Sequence, residues 1–240
     1  MNPATLSTIV SGLLPPGAVA AELRAPGDPN LLFRDELEWL GRAVPKRVGE
    51  FAAGRLCARR ALQELGVADC PIRVGDDRQP LWPQAMVGSI THTTGFCAAV
   101  VAERRRVHAL GLDSEVVGDV NIEIWPRICV PEELAWIGSL PEAEQRAAVT
   151  LIFSAKEAFY KCQYSLVGER LNFQDARVVP AEWNLERGGF DIHATRAIAL
   201  PMPAVQALQG RYVFHEGRLT AGIGLAAGMA PAAAGAAAET

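Results

Sequence analysis

The order of its periodicities constrains this chain most: helical spacing ends near residue 166, and strand-like segments follow almost without interruption. Over residues 145 to 164, Ile152, Ala155, Phe159 and Cys162, with Leu166 just beyond, recur at intervals of three and four, the stripe of a helix laid on a core. A second helix is predicted from Lys46 to Leu65. Pro45 precedes it, Phe51, Ala58, Leu62 and Leu65 share a side, and Gly66 stops it. Shorter helices are predicted over Glu36 to Leu40 and from Pro131 to about Ile137. Downstream strands are predicted for Asp175 to Val179, Phe190 to Ala194, Ala197 to Leu200, Gly210 to His215 and Leu219 to Leu225. Val87 to Ile90 and Phe96 to Ala102 read as a hairpin joined by Thr91 to Gly95. Helices segregated from later strands indicate an α+β chain. Residues 1 to about 30, rich in Pro and Gly, read as irregular structure with short helical pieces, and the Ala-, Pro- and Gly-dominated residues from Ala230 onward as a disordered tail.

Chemistry concentrates at two places. Val107 to Leu112 reads as a strand that leads into Asp113-Ser114-Glu115, and its period of two points both carboxylates to one side. Two acids on one face need a cation or a proton. On the long helix, Phe153-Ser154-Ala155-Lys156-Glu157-Ala158-Phe159-Tyr160-Lys161 carries Glu157 and Lys161 away from the buried stripe. Lys156 falls at the edge of that stripe, where its stem lies on the core and its ammonium is expected to emerge into a cleft. Taken alone, Glu157 and Lys161 also make an ordinary surface pair worth about 0.3 kcal/mol, and Asp113 and Glu115 a solvated strand end. Basic residues cluster upstream: Arg55 and Arg59 lie one turn apart, an array able to meet phosphates or to form a solvated face. Arg104-Arg105-Arg106 reads as a solvated turn between strands.

A strand with Asp-x-Glu followed by a helix with Lys-Glu-Ala-x-x-x-Lys resembles the 4'-phosphopantetheinyl transferases of the surfactin-synthetase and enterobactin-synthetase type. Upstream motifs follow in the family's order: Lys46-Arg47-x-x-Glu50-Phe51-x-x-Gly54-Arg55-x-x-Ala58-Arg59, Gly75-Asp76, Pro80-x-Trp82-Pro83 and Gly88-Ser89-Ile90-Thr91-His92. The likeness spans roughly residues 44 to 225. It implies a pseudo-dimer of two similar α+β halves: residues 1–110 with the coenzyme A phosphate contacts, 111–229 with the metal and catalytic motifs, then the tail 230–240. No internal repeat is visible by eye. It implies Mg²⁺ on Asp113, Glu115 and Glu157, with Glu157 as base and Lys156 neutralising or protonating the leaving bisphosphate. Ser89, His92 and Lys161 would hold phosphates, and Arg47 and Arg55 the 3'-phosphate end. Some relatives have a lysine before the Gly-Asp pair where this chain has Val74, so Arg73 or Arg78 is expected to replace its contact. The reaction implied moves phosphopantetheine from coenzyme A to a serine of an apo acyl or peptidyl carrier protein, releasing adenosine 3',5'-bisphosphate. The carrier proteins of such relatives belong to polyketide and nonribosomal peptide synthetases, siderophore assembly or fatty-acid synthases.

Composition narrows the alternatives. Lys and Arg number 23 against 27 Asp and Glu, a net charge of −4, which argues against nonspecific nucleic-acid binding. Five widely spaced cysteines without C-x-x-C suit neither a disulfide framework nor a zinc site and fit a reducing cytoplasm. Ala18-Val19-Ala20 mimics a signal-peptidase site, but no positive charge precedes Arg24 and Pro15-Pro16-Gly17 interrupts the apolar run, so this segment reads as mature protein. No stretch is long enough for a membrane span. Gly222-Ile223-Gly224 with Gly228 has its third glycine one residue late for a dinucleotide fingerprint, and Ser89 lacks the second glycine of a nucleophile elbow. Two alternatives remain at this level: a non-catalytic coenzyme A or carrier-protein binding module, and another metal-dependent phosphoryl-transfer enzyme such as a nuclease. A monomer is expected from the internal pseudo-dimer.

Overall fold

The computed structural model describes residues 3–198 and 208–227. Two antiparallel sheets are each covered by one long helix. In the N-terminal half, β1 (Thr5–Leu6), α1 (Thr8–Ser11) and β2 (Val19–Leu23) precede α2 (Arg34–Leu40) and α3 (Pro45–Glu64). The small ribbon β3 (Arg73–Val74) and β4 (Pro80–Leu81) and the hairpin β5 (Met86–Thr93) and β6 (Phe96–Glu103) complete it. In the C-terminal half, β7 (Val107–Val116), α4 (Trp125–Ile128), α5 (Pro131–Ser139) and α6 (Glu142–Val167) lead into β8 (Ala176–Pro180), β9 (Arg187–Ala194), β10 (Leu208–His215) and β11 (Arg218–Ala226). The sheets run β1-β2-β6-β5 and β7-β11-β10-β9-β8. This is the α+β architecture, built twice, that the sequence led us to expect.

Several boundaries differ from the sequence expectation. The first 30 residues are not irregular: β2 sits between β1 and β6, with Ala20, Ala21 and Leu23 buried. Its alanines carry little strand preference, so pairing with β6 rather than local propensity makes it a strand. The hairpin turn shrinks to Thr94-Gly95, with Gly95 at φ +71°, so Thr91 and His92 belong to β5. β7 continues through Asp113 and Glu115, because Ala221 and Leu219 of β11 pair with them. Ala197 and Ile198 lie outside any strand, while Ala199, Leu200 and the tail from Ala230 fall outside the described residues.

The stripe of α6 behaves as predicted. Ile152, Ala155, Phe159 and Cys162 are buried against the second sheet, with Leu166 packed at the margin. On α3, Leu56, Ala58, Ala61 and Leu62 fill the equivalent core of the first half. A third apolar cluster joins the halves: Val87, Ala98 and Val100 of the first sheet meet Leu110 and Leu112 of β7. The anticipated division at 110/111 thus lies within β7, past the turn Arg104 to Arg106, where Arg105 and Arg106 pair with Glu103. None of the five cysteines is in a disulfide, and all but Cys70 are buried. Among the described residues no helix is long and apolar enough to cross a membrane.

Candidate active site

Edge strands of different sheets, β5 and β7, meet where the halves join. An edge leaves backbone groups that must find partners elsewhere, and here side-chain hydroxyls supply them. Ser89 Oγ accepts from Leu112 N at 3.0 Å and Thr91 Oγ1 from Ser114 N at 2.9 Å. Because side chains alternate along a strand, Thr93 points the same way, and its hydroxyl donates to Glu115 Oε2 at 3.3 Å. Lys161 of α6 takes the remaining Leu112 carbonyl at 3.1 Å.

The opposite alternation in β7 faces α6. At Gly111 the helix comes so close that a Cβ would lie 1.8 Å from the Ala158 carbonyl oxygen. Two residues on, Asp113 is buried, and its Oδ1 accepts from Lys161 Nζ at 2.7 Å and from Thr91 Oγ1 at 3.4 Å. Burial, and then the charge of Asp113, push the Glu115 carboxyl up to about 7, with the Thr93 hydroxyl and Lys161 opposing. Glu157, on the adjoining turn of α6, is lifted above the ordinary carboxylate range by burial, which Lys161 counters and Asp113 reinforces. The Glu157–Lys161 surface pair considered from sequence does not dominate: Lys161 crosses to β7 instead.

Among the described residues no three His, Cys, Asp or Glu side chains stand disposed to hold a metal ion. The chemistry of the acidic edge nevertheless fits a hard cation. All its donors are carboxylate oxygens, and Asp113 Oδ2 is buried without a hydrogen-bond partner. Burial, reinforced by the charge of Asp113, favours the protonated form of the other two acids.

Beside this edge lies a cavity of about 740 Å³, walled by α3, β5, the segment 77–85 and α6. Six residues singled out from sequence line it: Arg47, Arg55, Arg78, Ser89, His92 and Lys161. The Arg47 guanidinium donates to His92 Nε2 at 3.0 Å. Burial, together with nearby Arg47 and Lys161, lowers the His92 pKa, so the ring is a neutral acceptor there, although Glu50 and Asp113 act the other way. Arg55 stacks on Phe51 with its guanidinium carbon 4.2 Å from the ring centroid, and its Nε donates to Ile72 O at 2.7 Å. Burial draws its pKa down to about 10, still well above neutrality. Arg78 sits at φ +66° in the loop between β3 and β4. That loop is tied to α6 by Asp77, which accepts from the Tyr164 hydroxyl and pairs with Arg170.

Three basic residues are elsewhere. Arg73 is exposed on the small ribbon, outside the cavity. Arg59, grouped with Arg55 from sequence, is buried against Glu36 at 2.9 Å instead. The Lys156 ammonium does not emerge into a cleft: it donates to Glu133 Oε2 at 2.7 Å, Ile128 O at 2.8 Å and Phe173 O at 3.0 Å. The stem at the stripe's edge is held down because α4 and α5 supply acceptors there. Glu157 and Lys156 line a second cavity of about 280 Å³, which shares Tyr160 with the larger one.

Sequence reasoning did not single out Thr91, Thr93 or Glu133. Thr91 and Thr93 continue the alternation of Ser89 past Ile90, where the predicted strand ended, and that was the available signal for the first two. Glu133, third in its helix after Val130, carried only the capping signature.

Comparison with known proteins identifies the chain's relatives. A family model described as the 4'-phosphopantetheinyl transferase N-terminal domain matches residues 35–102. A second, described as the 4'-phosphopantetheinyl transferase superfamily, matches residues 109–198. The chain is 36% identical to the 4'-phosphopantetheinyl transferase Svp of Streptomyces mobaraensis, covering 91% of this chain and 90% of that protein. It is also 36% identical to the 4'-phosphopantetheinyl transferase PptT of Mycobacterium tuberculosis, over 72% of this chain and 78% of the relative. With enterobactin synthase component D of Salmonella typhi it shares 40% identity over 55% of each.

Proposed function

This chain belongs to the 4'-phosphopantetheinyl transferase superfamily and is a transferase, and we propose that it moves the 4'-phosphopantetheine group of coenzyme A onto a serine of an apo acyl or peptidyl carrier protein. The observation that carries the reading is the meeting of a cation-lined cavity with an acidic strand edge at one junction. A diphosphate substrate needs the first, and a hydroxyl nucleophile needs a base from the second.

In this reading the serine Oγ attacks the phosphorus that bears pantetheine. The bond from that phosphorus to the bridging oxygen breaks, and adenosine 3',5'-bisphosphate departs with the electron pair. Glu157 takes the serine proton as a carboxylate, the form that neighbouring Lys161 favours, and burial strengthens its hold on the proton once taken. Lys161, at the seam between Leu112 and Asp113, and the Nδ1–H of neutral His92, whose Nε2 accepts from Arg47, hold diphosphate oxygens. Ser89 accepts from Leu112 N and so keeps its own hydroxyl proton to donate. Arg55 and Arg47 meet the 3'-phosphate, where a planar guanidinium suits a phosphate better than an ammonium. Arg78 rather than Arg73 takes the contact that some relatives make with lysine, since only Arg78 lines the cavity. Asp113, Glu115 and Glu157 would hold Mg²⁺, which when bound supplies positive charge against the diphosphate. The residues divide by half, with phosphate contacts mostly before 110 and the carboxylates after 111. Cytoplasmic carrier domains of polyketide, nonribosomal-peptide or siderophore assembly lines are the expected acceptors, and a monomer the acting species.

The decisive experiment is mass spectrometry of an apo carrier protein incubated with enzyme, coenzyme A and Mg²⁺. A gain of one phosphopantetheine group is expected with the wild type and none with Glu157→Ala, whose circular dichroism should be unchanged. Near-normal transfer by that variant would refute Glu157 as the base.

A further inference from the structure

The ion pair that takes up Lys156 occurs twice in the molecule. In the first half, Glu36 of α2 accepts from the Phe33 amide at 2.9 Å, from the Ile72 amide at 2.9 Å and from Arg59 of α3 at 2.9 Å. In the second, Glu133 of α5 accepts from the Val130 amide at 2.7 Å, the Val178 amide at 2.7 Å and Lys156 of α6 at 2.7 Å. Each cation also reaches a carbonyl ahead of the short helix, Leu31 for Arg59 and Ile128 for Lys156. Three of the four spacings match, and only the distant amide differs, 36 residues after the glutamate in the first half and 45 in the second. Glutamate and cation are separated by 23 residues in both halves, carbonyl and cation by 28, and cap amide and carboxylate by 3. All four charged side chains are at most 4% exposed. This is the internal repeat not seen on inspection of the sequence, although Glu36-Leu37-x-Trp39-x-Gly41 and Glu133-Leu134-x-Trp136-x-Gly138 carry it at an offset of 97 residues.

The first copy does no chemistry at the cavity, since neither Glu36 nor Arg59 lines it. In the second, an ammonium has three protons to give, and Glu133, Ile128 and Phe173 accept all three. None is left for a phosphate.

We propose that Glu133 and Lys156 form a positioning strut, the second copy of a duplicated structural device, and that Lys156 serves transfer by fixing the turn of α6 that carries Glu157 rather than by touching the leaving group. The strut ties α6 to the end of α4, to α5 and to the turn before β8, which sets the rotation of the helix at that turn. Glu157, the next residue, is thereby turned toward Asp113 and Lys161. This deepens the reading of Glu157 as the reacting base and rests on it.

Lys156→Met alone strands a buried carboxylate, and adding Glu133→Gln removes that charge while keeping an acceptor for the strand amide. Melting temperature, kcat and KM for coenzyme A are measured for the wild type, both single variants and the double variant, below all their melting temperatures. Lys156→Met is expected to lower the melting temperature and kcat while KM for coenzyme A holds. The double variant is expected to regain most of both losses, a non-additive coupling. Lys156→Arg, which rebuilds the pair of the first half, is expected to retain transfer. A folded double or Arg variant with kcat still down about a hundredfold, the scale of a lost proton donor, would overturn the proposal, as would additive melting temperatures. If the wild type modifies no carrier protein, the assigned reaction fails instead, and coupling of the melting temperatures alone decides the strut.

Discussion

Arg55 shows how one side chain serves both core and cavity. Its guanidinium lies over the Phe51 ring, one donor is spent on Ile72 O, and the residue still lines the cavity wall. Arg55→Ala is expected to weaken coenzyme A binding by about 1.5–3 kcal/mol, the usual worth of a charged hydrogen bond, and to lower the melting temperature as Ile72 O loses its partner. Calorimetric titration with coenzyme A tests this, and an unchanged affinity removes Arg55 from the site. Glu115 gives a pH signature. Its carboxyl titrates near 7 in the fold against an ordinary 4.5, so the native state binds the extra proton. Stability from this group is therefore intact below pH 4.5, falls as pH rises from 4.5 to 7, and is lost above. With chelator present, the melting temperature of the wild type should decline across that window, and Glu115→Gln should flatten the decline. An equal slope in both proteins would show that another group titrates. Strand alternation put Asp113 and Glu115 on one side, while Glu157 joined them only through the family resemblance. The destination of the Lys156 ammonium was not legible, because its acceptors come from α4, α5 and the turn before β8.

At the scale of elements, the site depends on how closely α6 rides on β7. Gly111 permits that approach, since any Cβ there would meet the Ala158 carbonyl at 1.8 Å and Cys162 Cβ at 2.9 Å. Both atoms belong to the helix that carries Glu157 and Lys161, so relief would mean moving the helix. Gly111→Ala should destabilise the protein by about 1–3 kcal/mol, the range for overpacking a filled interior, and reduce transfer more than Ala at an exposed position. Urea unfolding checks the first part, and a change under about 0.5 kcal/mol would show that the two elements separate easily. Helices were the more legible elements, for the stripe of α6 and the Pro start of α3 are local signals. β2 and the outer part of β7 were less so, because their strand character comes from partners far along the chain.

The whole molecule is held at one seam, where two sheets present edges to each other and hydroxyls of β5 close the open amides of β7. Thr91→Val keeps the shape and removes the acceptor of the Ser114 amide, at an expected cost of about 1–3 kcal/mol for the unpaired buried group. It also frees Asp113 from one of its anchors, so kcat should fall with stability. If stability and kcat both survive the substitution, the hydroxyl seam does not organise the acidic edge. The sequence by itself determined the α+β class, the two long helices and the identity of the charged groups, because periodicity, capping and residue chemistry are properties of neighbouring positions. Only the tertiary structure decided which cations face the cavity and which are buried as struts: Arg55 and Arg59 sit one turn apart on the same helix, yet Glu36, delivered by another helix, claims one and leaves the other at the cavity wall.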